Sequence, residues 1–393
     1  MELFEKIQND LANKTFEEIM TENLKNFWGY PADSTLSLEE LKIKYEKEEL
    51  KEFVQDISYF ERNILDMQKN MEHYKKVYEL LQDDSSKQAY VYMMAAKLYM
   101  NMEYADKAYF PERIYFSKNI FSFENEIYVD CGGYDGDTAL SFMASVPTAS
   151  KVYIFEGIPE IAETCRKRIS NASHTADVTI LPKAVYSHSC ELKFWSETGT
   201  GESKISNDGT ICVEATSLDT EIKDRVTFIK MDIEGSEKEA LQGAERIIRE
   251  FSPKMAICIY HLEDDFWKIP ELILSINPNY RFFVRQHEPA CLSETVLYCV
   301  PNDMPNANGE TYILNKMEND LASYQQSKVW YIKQLRYKNE ALQTQSKSIE
   351  ELQNWAGQLM QAKEFLETTL EQHKELVATL QNQINGMNNN VEH

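Results

Sequence analysis

The chain has 393 residues and a formal net charge of −23, which is enough sequence for two or three domains. Such an acidic surface would repel phosphates, so the charge argues against a nucleic-acid substrate. Seven scattered cysteines without a C-x-x-C pair indicate a reduced protein, and no apolar stretch approaches the length that spans a bilayer. We therefore expect a cytoplasmic protein without a transmembrane segment.

The first part of the chain, residues 1–115, is rich in Glu, Lys, Leu and aromatic residues and is predicted to be helical. Ser37-Leu38-Glu39-Glu40 is a capping-box signature, and the apolar spacing after it predicts a helix to about Leu81. Asp83-Asp84-Ser85-Ser86 breaks the pattern, and a second helix is predicted to about Met100. We expect these helices to form a cap on the next domain, and they could also supply a wall of its substrate site.

The central part, residues 120–305, alternates strand and helix patterns, which is typical of a mostly parallel sheet with helices on both faces. The predicted strands cover residues 127–129, 151–155, 178–185, 226–231 and 254–260, with a closing antiparallel pair at 280–284 and 295–300. Two short extra strands, at 192–195 and 211–216, flank a loop at 198–209.

The stretch from Ile127 to Leu140, IYVDCGGYDGDTAL, is predicted to be a buried strand, a tight glycine-rich turn and the start of a helix. A dinucleotide fingerprint counted from Gly132 would need glycines where Tyr134 and Asp137 stand, and the acidic turn would repel a pyrophosphate. The spacing D-x-G-x-x-x-G instead resembles motif I of the Rossmann-like methyltransferases that use S-adenosylmethionine (SAM), a ligand with a sulfonium cation. A structural glycine turn in another α/β domain is the alternative. The predicted cofactor-binding residues here are Asp130, Gly132, Gly133, Gly136 and Asp137.

Three further strand ends carry Glu156, Asp232 and His261, and the carboxyl ends of strands form the ligand site in an open α/β sheet. Glu156 is predicted to accept hydrogen bonds from both ribose hydroxyls. Asp232 is predicted to contact the cofactor where the methyl group is presented. His261 is our first candidate for a catalytic base, because an unperturbed imidazole is largely neutral at pH 7. Asp232 is the second candidate, or else orients His261 or the substrate.

Each of these acidic and imidazole groups also has a structural alternative. His261 could cap the helix near Asp264, and Glu234 and Glu237 could favour the N-terminus of the helix that follows them. Together with Asp232 they could also hold a divalent metal, although we expect none.

Six motifs of residues 127–301 resemble the FkbM-type methyltransferases. They are VDCGGYDGDT (129–138), FEG (155–157), IKMDIEGSEKEALQGA (229–244), IYHLEDDFWKIPELI (259–273), FFVRQHE (282–288) and ETVLYCVP (294–301). The resemblance implies a Rossmann-like class I methyltransferase sheet and SAM-dependent O-methylation of a carbohydrate or similar metabolite. Gly133 stands where Ala is common in that family, and Gly157 follows the ribose acid where Pro is usual.

Three residues are candidates for binding the acceptor. Glu234 lies in the fourth-strand motif, and Arg285 and His287 end the sixth strand near the expected rim of the site. Arg285 could donate to a hydroxylated or acidic acceptor, or it could form a surface ion pair.

Residues 315–386 are predicted to form a coiled coil, because apolar residues recur on two heptad positions over about seven heptads. We expect it to form a homo-oligomer or to recruit a partner protein, and residues 387–393 to be a disordered tail. Two rival functions remain: methyl transfer to nitrogen or to a protein side chain, and a coiled-coil scaffold with an inactive methyltransferase domain. The intact glycine turn and strand-end acids argue against inactivity.

Overall fold

A computed structural model describes residues 2–24, 40, 51–196, 203–205 and 209–304, all of which belong to the first of the chain's two compact units, Met1–Leu321. The predicted coiled coil and tail lie outside the described residues. So do the start of the capping box at Ser37 and most of the loop at 198–209.

The described N-terminal residues are helical, as the sequence predicted. The helices are α1 (Glu2–Asn13), α2 (Phe16–Asn23), α3 (Lys51–Leu80), α4 (Asp84–Tyr99) and α5 (Met102–Ala108). Helix α3 has non-helical dihedral angles at Asn70 (φ −119°). The predicted break between the two long helices is confirmed: the Asp83 side chain accepts a hydrogen bond from the N–H of Ser86 (2.7 Å) and caps α4.

A seven-stranded sheet forms the centre of the unit, and its predicted class is confirmed. Its strands are β1 (Ile127–Cys131), β2 (Lys151–Phe155), β3 (Asp177–Leu181), β8 (Phe228–Met231), β9 (Lys254–Cys258), β10 (Tyr280–Gln286) and β11 (Thr295–Pro301). Their order is β10-β11-β9-β8-β1-β2-β3, and only the β10 and β11 pairings are antiparallel. From β1 the chain continues outward to β2 and β3 and later returns to β8 on the other side. The topological switch point therefore lies between β1 and β8.

A second, four-stranded sheet contains β4 (Ala184–Val185), β5 (Cys190–Ser196), β6 (Ser203–Ile205) and β7 (Ile211–Thr216) in the order β4-β7-β5-β6. The single strand predicted at 178–185 is therefore wrong, because its last two residues leave β3 and pair with β7. The remaining helices are α6 (Asp137–Ser145), α7 (Pro159–Ser170), α8 (Leu218–Glu221), α9 (Glu237–Gln242), α10 (Glu245–Phe251) and α11 (Asp265–Ile276).

The N-terminal helices share one hydrophobic core with the sheet. Helix α4 packs against the edge strand β10, where the Ser86 hydroxyl accepts a hydrogen bond from the N–H of Val284 (3.0 Å). The buried Tyr90 hydroxyl donates to the carbonyl of Phe266 at 3.1 Å. Because these contacts cover an otherwise unpaired strand edge, the helices stabilise the antiparallel end of the sheet. No helix in the described part of the chain is long and apolar enough to cross a membrane.

Candidate functional site

A cavity of about 480 Å³ opens at the carboxyl ends of β1, β2, β8 and β9. Its wall on the β1–β2 side includes Gly132, Tyr134, Phe155, Glu156, Gly157, Ile161, Lys183, Ala184, Val185 and Phe194. Its other wall includes Asp232, Ile233, Glu234, Ser236, Tyr260, Ser293 and Glu294. The cavity thus spans the switch point, where open α/β sheets bind their ligands.

The glycine turn after β1 forms the floor of the cavity. Gly132 has a φ of +81°, and a Cβ atom there would lie 1.9 Å from the carbonyl oxygen of Asp232. A Cβ atom on Gly133 would lie 2.2 Å from a methyl group of Ile154. The N–H groups of both glycines donate to the carbonyl of Phe155, at 3.0 and 2.9 Å. The turn therefore requires glycine for sterics and backbone conformation.

The other predicted turn residues shape the loop without lining the cavity. Gly136, with a φ of +86°, is the N-cap of α6. Asp137 is the first residue of that helix, and its carboxylate accepts the N–H of Thr138 (2.6 Å). An acid in the first turn of a helix is stabilised by the helix dipole. The helix itself therefore explains why an acidic residue stands at position 137.

Asp130 lies beneath the turn, fully buried, and is not among the residues that line the cavity. The Lys230 ammonium is 3.2 Å from its Oδ1 atom and also donates to the carbonyl of Gly132 at 2.7 Å. Burial raises the pKa of Asp130, and attraction to Lys230 limits the rise. The expectation that Asp130 touches a cofactor is therefore not supported: it anchors the lysine that holds the turn.

Glu156 follows β2 and faces the cavity. Its Oε2 atom accepts the N–H of Tyr134 (3.0 Å), and its Oε1 atom accepts the N–H of Ile158 (2.9 Å). The two backbone donors fix the carboxylate in one orientation. Each oxygen retains acceptor capacity, because an ionised carboxylate has about four lone-pair sites. Burial raises the pKa of Glu156 against these hydrogen bonds.

Asp232 lies at the end of β8 and lines the cavity from the opposite side. The Tyr115 hydroxyl donates to its Oδ2 atom at 2.8 Å, and the Tyr260 hydroxyl lies 3.3 Å from its Oδ1 atom. Burial alone would raise the pKa of Asp232. The positive charges of Lys230 and His261 and the hydrogen bond from Tyr115 outweigh burial and hold this pKa below its usual range. Asp232 is therefore a fixed carboxylate anion and a weak base.

His261 lies behind Asp232 and is only 8% exposed. Its Nδ1 atom is 3.0 Å from a carboxylate oxygen of Glu237, and its Nε2 atom is 3.4 Å from Asp232 and 3.6 Å from Glu234. Burial alone would lower the pKa of His261, but these carboxylates raise it to about 9. An imidazole that is protonated at neutral pH cannot accept another proton. The structure therefore argues against His261 as the base, because the expectation rested on an unperturbed pKa.

The same cluster is the candidate metal site among the described residues. Oxygen or nitrogen atoms of Asp232, Glu237 and His261 lie within 4.8 Å of one another. A divalent ion could be held there. However, the imidazole lies between the carboxylates with one nitrogen facing each, so a protonated His261 already supplies a balancing positive charge. Glu237 also begins α9, in agreement with the alternative role expected for it.

Arg285 and His287 are buried and are not among the residues that line the cavity. Arg285 forms an ion pair with Asp83 (2.7 Å) and donates to Ser86 (2.7 Å), so it joins β10 to α4. Alternation along the strand and the packing of α4 explain why the side chain points to the helix. Direct contact of Arg285 with an acceptor in this cavity is therefore not supported.

His287 reaches the site only through other residues. Its Nδ1 atom lies 3.2 Å from the carbonyl of Glu112, which can only accept, so Nε2 accepts from the Tyr298 hydroxyl at 2.6 Å. That hydroxyl in turn accepts the N–H of Tyr115 (3.0 Å). Burial lowers the pKa of His287 to about 3, so a neutral imidazole supports the tyrosine that holds Asp232.

The residues of the site that were not predicted include Lys230, Tyr115 and Glu294. Lys230 stands within an apolar strand, and Tyr115 precedes the first strand, so neither carries a local signal. Glu294 immediately precedes β11, which pairs antiparallel with β9. The start of an antiparallel strand meets the carboxyl end of its neighbour, and this rule could have identified Glu294.

The strand order, with its antiparallel end, and the glycine turn beneath the cavity define a Rossmann-like methyltransferase domain. Residues 130–287 match the sequence model of the Methyltransferase FkbM domain. The chain therefore carries a methyltransferase domain of the FkbM family, as its motifs indicated.

Comparison with solved structures agrees with this assignment. The methyltransferase FkbM of Methylobacillus flagellatus KT is 26% identical with a TM-score of 0.53, and the match covers 61% of this chain and 62% of that chain. Aeropyrum pernix fibrillarin with natively bound SAM is 12% identical (TM-score 0.31), with 47% of this chain and 71% of that chain covered. Precorrin-6y C5,15-methyltransferase of Geobacter metallireducens GS-15 is 12% identical (TM-score 0.28), with 45% and 80% covered. The last two similarities carry no argument about function. A search of curated proteins gave no match.

Proposed function

We propose that this protein is a SAM-dependent O-methyltransferase that moves a methyl group to a hydroxyl of a carbohydrate or a similar metabolite. The observation that carries the proposal is the cavity of about 480 Å³ over the glycine turn, with Glu156 and Asp232 in opposite walls. Its volume is in the range of small-molecule sites. Its acidic wall suits a ligand with sulfonium and ammonium cations and disfavours a pyrophosphate.

Several residues fit SAM on the β1–β2 side. Gly132 lines the cavity, and Glu156, held by two backbone N–H groups, retains acceptor capacity for the ribose hydroxyls. Gly133 and Gly136 hold the shape of the turn, and Lys230 fixes the Gly132 carbonyl from below. In this proposal Asp130, Gly133, Gly136 and Asp137 act through the turn and not by direct contact.

When bound, SAM supplies a methyl group on a positively charged sulfur, which is already a strong electrophile. The protein then has to align the acceptor hydroxyl, exclude water and accept the hydroxyl proton. Asp232, fixed by Tyr115, is suited to orienting an acceptor hydroxyl, and Glu234 can accept from a second one. His261 acts in this proposal as a positioning residue, because it balances the charge of Asp232 and Glu237.

Calorimetric titration of the full chain with SAM and with S-adenosylhomocysteine tests the cofactor. We expect saturable binding that Glu156→Gln weakens about tenfold or more, since one of its oxygens becomes a donor that faces a backbone N–H. Glu160→Gln is the matched control, because Glu160 is an exposed acid in the first turn of the next helix. The affinity of the Glu160→Gln variant for both ligands should equal that of the wild type.

Release of S-adenosylhomocysteine in the presence of methyl glycosides, nucleotide sugars or peptides tests the acceptor. Turnover with glycosides supports the proposal, whereas turnover only with peptides points to protein methylation. A folded wild-type protein that binds neither SAM nor S-adenosylhomocysteine would contradict the proposal and favour the scaffold function.

A further inference from the structure

Glu294 lines the cavity in the same wall as Asp232 and Tyr260. Its backbone has a φ of +65°, and its carbonyl accepts the N–H of His287 at 3.0 Å. The hairpin of β10 and β11 thus fixes the residue at the carboxyl edge of the sheet. Among the residues that the structure describes, its carboxylate has no ion pair and no side-chain hydrogen bond.

The other acids and bases near Asp232 are already engaged. His261 is protonated between carboxylates, and Asp232 accepts from Tyr115 while Lys230 stabilises its charge. The hydroxyls of Tyr115 and Tyr260 have pKa values raised by burial, so both remain phenols. Glu234, in the same wall, lies 3.6 Å from the Nε2 atom of His261. Among the described residues, Glu294 is therefore the cavity-lining carboxylate on this side that has no ion pair.

The surroundings of Glu294 set its protonation near neutral pH. Burial first, and then repulsion from Asp232 and Glu288, raise the pKa of Glu294 to about 7. Lys230 and His261 act in the opposite direction. A group with this pKa exchanges its proton readily at physiological pH, as general acid–base catalysis requires. A cation placed in the cavity would lower the pKa and release the proton.

We propose that Glu294 is the general base of the transfer and that binding of the cationic SAM prepares it by displacing its proton. The inference rests on the proposed O-methyltransferase function. As the acceptor oxygen forms its bond to the methyl carbon, the carbon–sulfur bond breaks and its electron pair remains on sulfur. The hydroxyl proton passes to the Glu294 carboxylate, which leaves a neutral carboxylic acid and the neutral sulfide of S-adenosylhomocysteine.

Proton-linked calorimetry tests this assignment without an acceptor. SAM and S-adenosylhomocysteine are titrated into the full chain at pH 7 in two buffers of different ionisation enthalpy. A group with a pKa near 7 is half protonated at pH 7. Binding of SAM should therefore release up to about half a proton more from the protein than binding of S-adenosylhomocysteine. Glu294→Gln, which keeps the shape of the side chain, should abolish this difference. The same substitution should also lower the affinity for SAM relative to that for S-adenosylhomocysteine by roughly threefold to tenfold.

Glu288→Gln is the matched control, since Glu288 is a nearby carboxylate that is not part of the cavity wall. This variant should retain most of the differential proton release. Equal proton release for the two ligands in the wild type, or a difference that survives in Glu294→Gln, would overturn the proposal. Absence of any SAM binding would instead refute the proposed function itself, so the two failures are distinguishable.

Turnover provides an independent readout. With methyl glycosides as acceptors and saturating SAM, Glu294→Gln should lower kcat by roughly 10²-fold to 10⁴-fold, the usual contribution of a general base. The acidic limb of the wild-type kcat profile should disappear in this variant. A kcat within about twofold of the wild type would overturn the assignment of Glu294 as the base.

Discussion

Lys230→Met should lower both the stability of this fold and its affinity for the ligand. The ammonium of Lys230 lies 3.2 Å from Asp130 and donates to the carbonyl of Gly132 at 2.7 Å, and its side chain is 3% exposed. Removing one partner of a buried ion pair destabilises a protein by about 3–5 kcal/mol. The lost hydrogen bond to Gly132 should also loosen the turn and weaken SAM binding about tenfold or more.

The chain offers a matched control in a second buried ion pair. Lys254 lies 2.6 Å from Glu126, and their side chains are 4% and 2% exposed. These residues stand at the amino ends of β9 and β1, away from the cavity. Lys254→Met should therefore lower the free energy of unfolding by a similar amount but leave the affinity for SAM unchanged.

Chemical denaturation measures the first effect, and calorimetric titration of the folded variants measures the second. The double variant Asp130→Asn with Lys230→Met should recover much of the stability, because no buried charge is left unpaired. It should not recover the affinity, because the Gly132 carbonyl still lacks its donor. Wild-type affinity for SAM in folded Lys230→Met would refute the argument that this lysine holds the turn.

Three further predictions concern the turn, the imidazole and the metal. Gly132→Ala should lower the free energy of unfolding by at least about 1–3 kcal/mol and abolish SAM binding, because its Cβ atom would meet a backbone carbonyl at a positive φ. Gly157→Ala, with its nearest contact at 3.3 Å and no positive φ, should have a much smaller effect in the same assays. His261 has a folded pKa of about 9 against an ordinary 6.5, so it should contribute up to about 3 kcal/mol of stability below pH 6.5. The contribution should disappear as the pH rises through 9, and an unfolding difference between wild type and His261→Gln that stays constant from pH 6 to 10 would contradict this. Dialysis against EDTA should leave SAM affinity unchanged; a loss restored by Mg²⁺ would reveal a cation among the carboxylates around His261.

The sequence predicted those parts of the fold and site that have local causes. The succession of strands along the chain, the glycine turn and the position of Glu156 after β2 follow from apolar runs and from spacing within short segments. The charge state of His261 could not be predicted, since it depends on three carboxylates that only the tertiary fold brings together. The direction of Arg285 likewise depends on α4, which is about 200 residues away along the chain.

The burial of Asp130 is a second feature that the sequence did not predict. Asp130 lies within β1, one residue before its end, and side chains near a strand end point alternately to the two faces of the sheet. Lys230, on the neighbouring strand, explains why the Asp130 side chain is buried, because it provides a positively charged partner in the interior.

The switch point divides the cavity into two walls that come from different segments of the chain. One wall comes from residues 132–194, and the other from residues 232–294, whose hairpin is fastened to the N-terminal helices by the pair of Arg285 and Asp83. Under the proposed function, the first wall recognises the cofactor, and the second meets the acceptor. Exchange of the hairpin together with its helical support would therefore change which acceptor is modified while the cofactor wall stayed intact. Under the proposed function, the fold thus separates the segment that binds the cofactor from the segment that selects the acceptor.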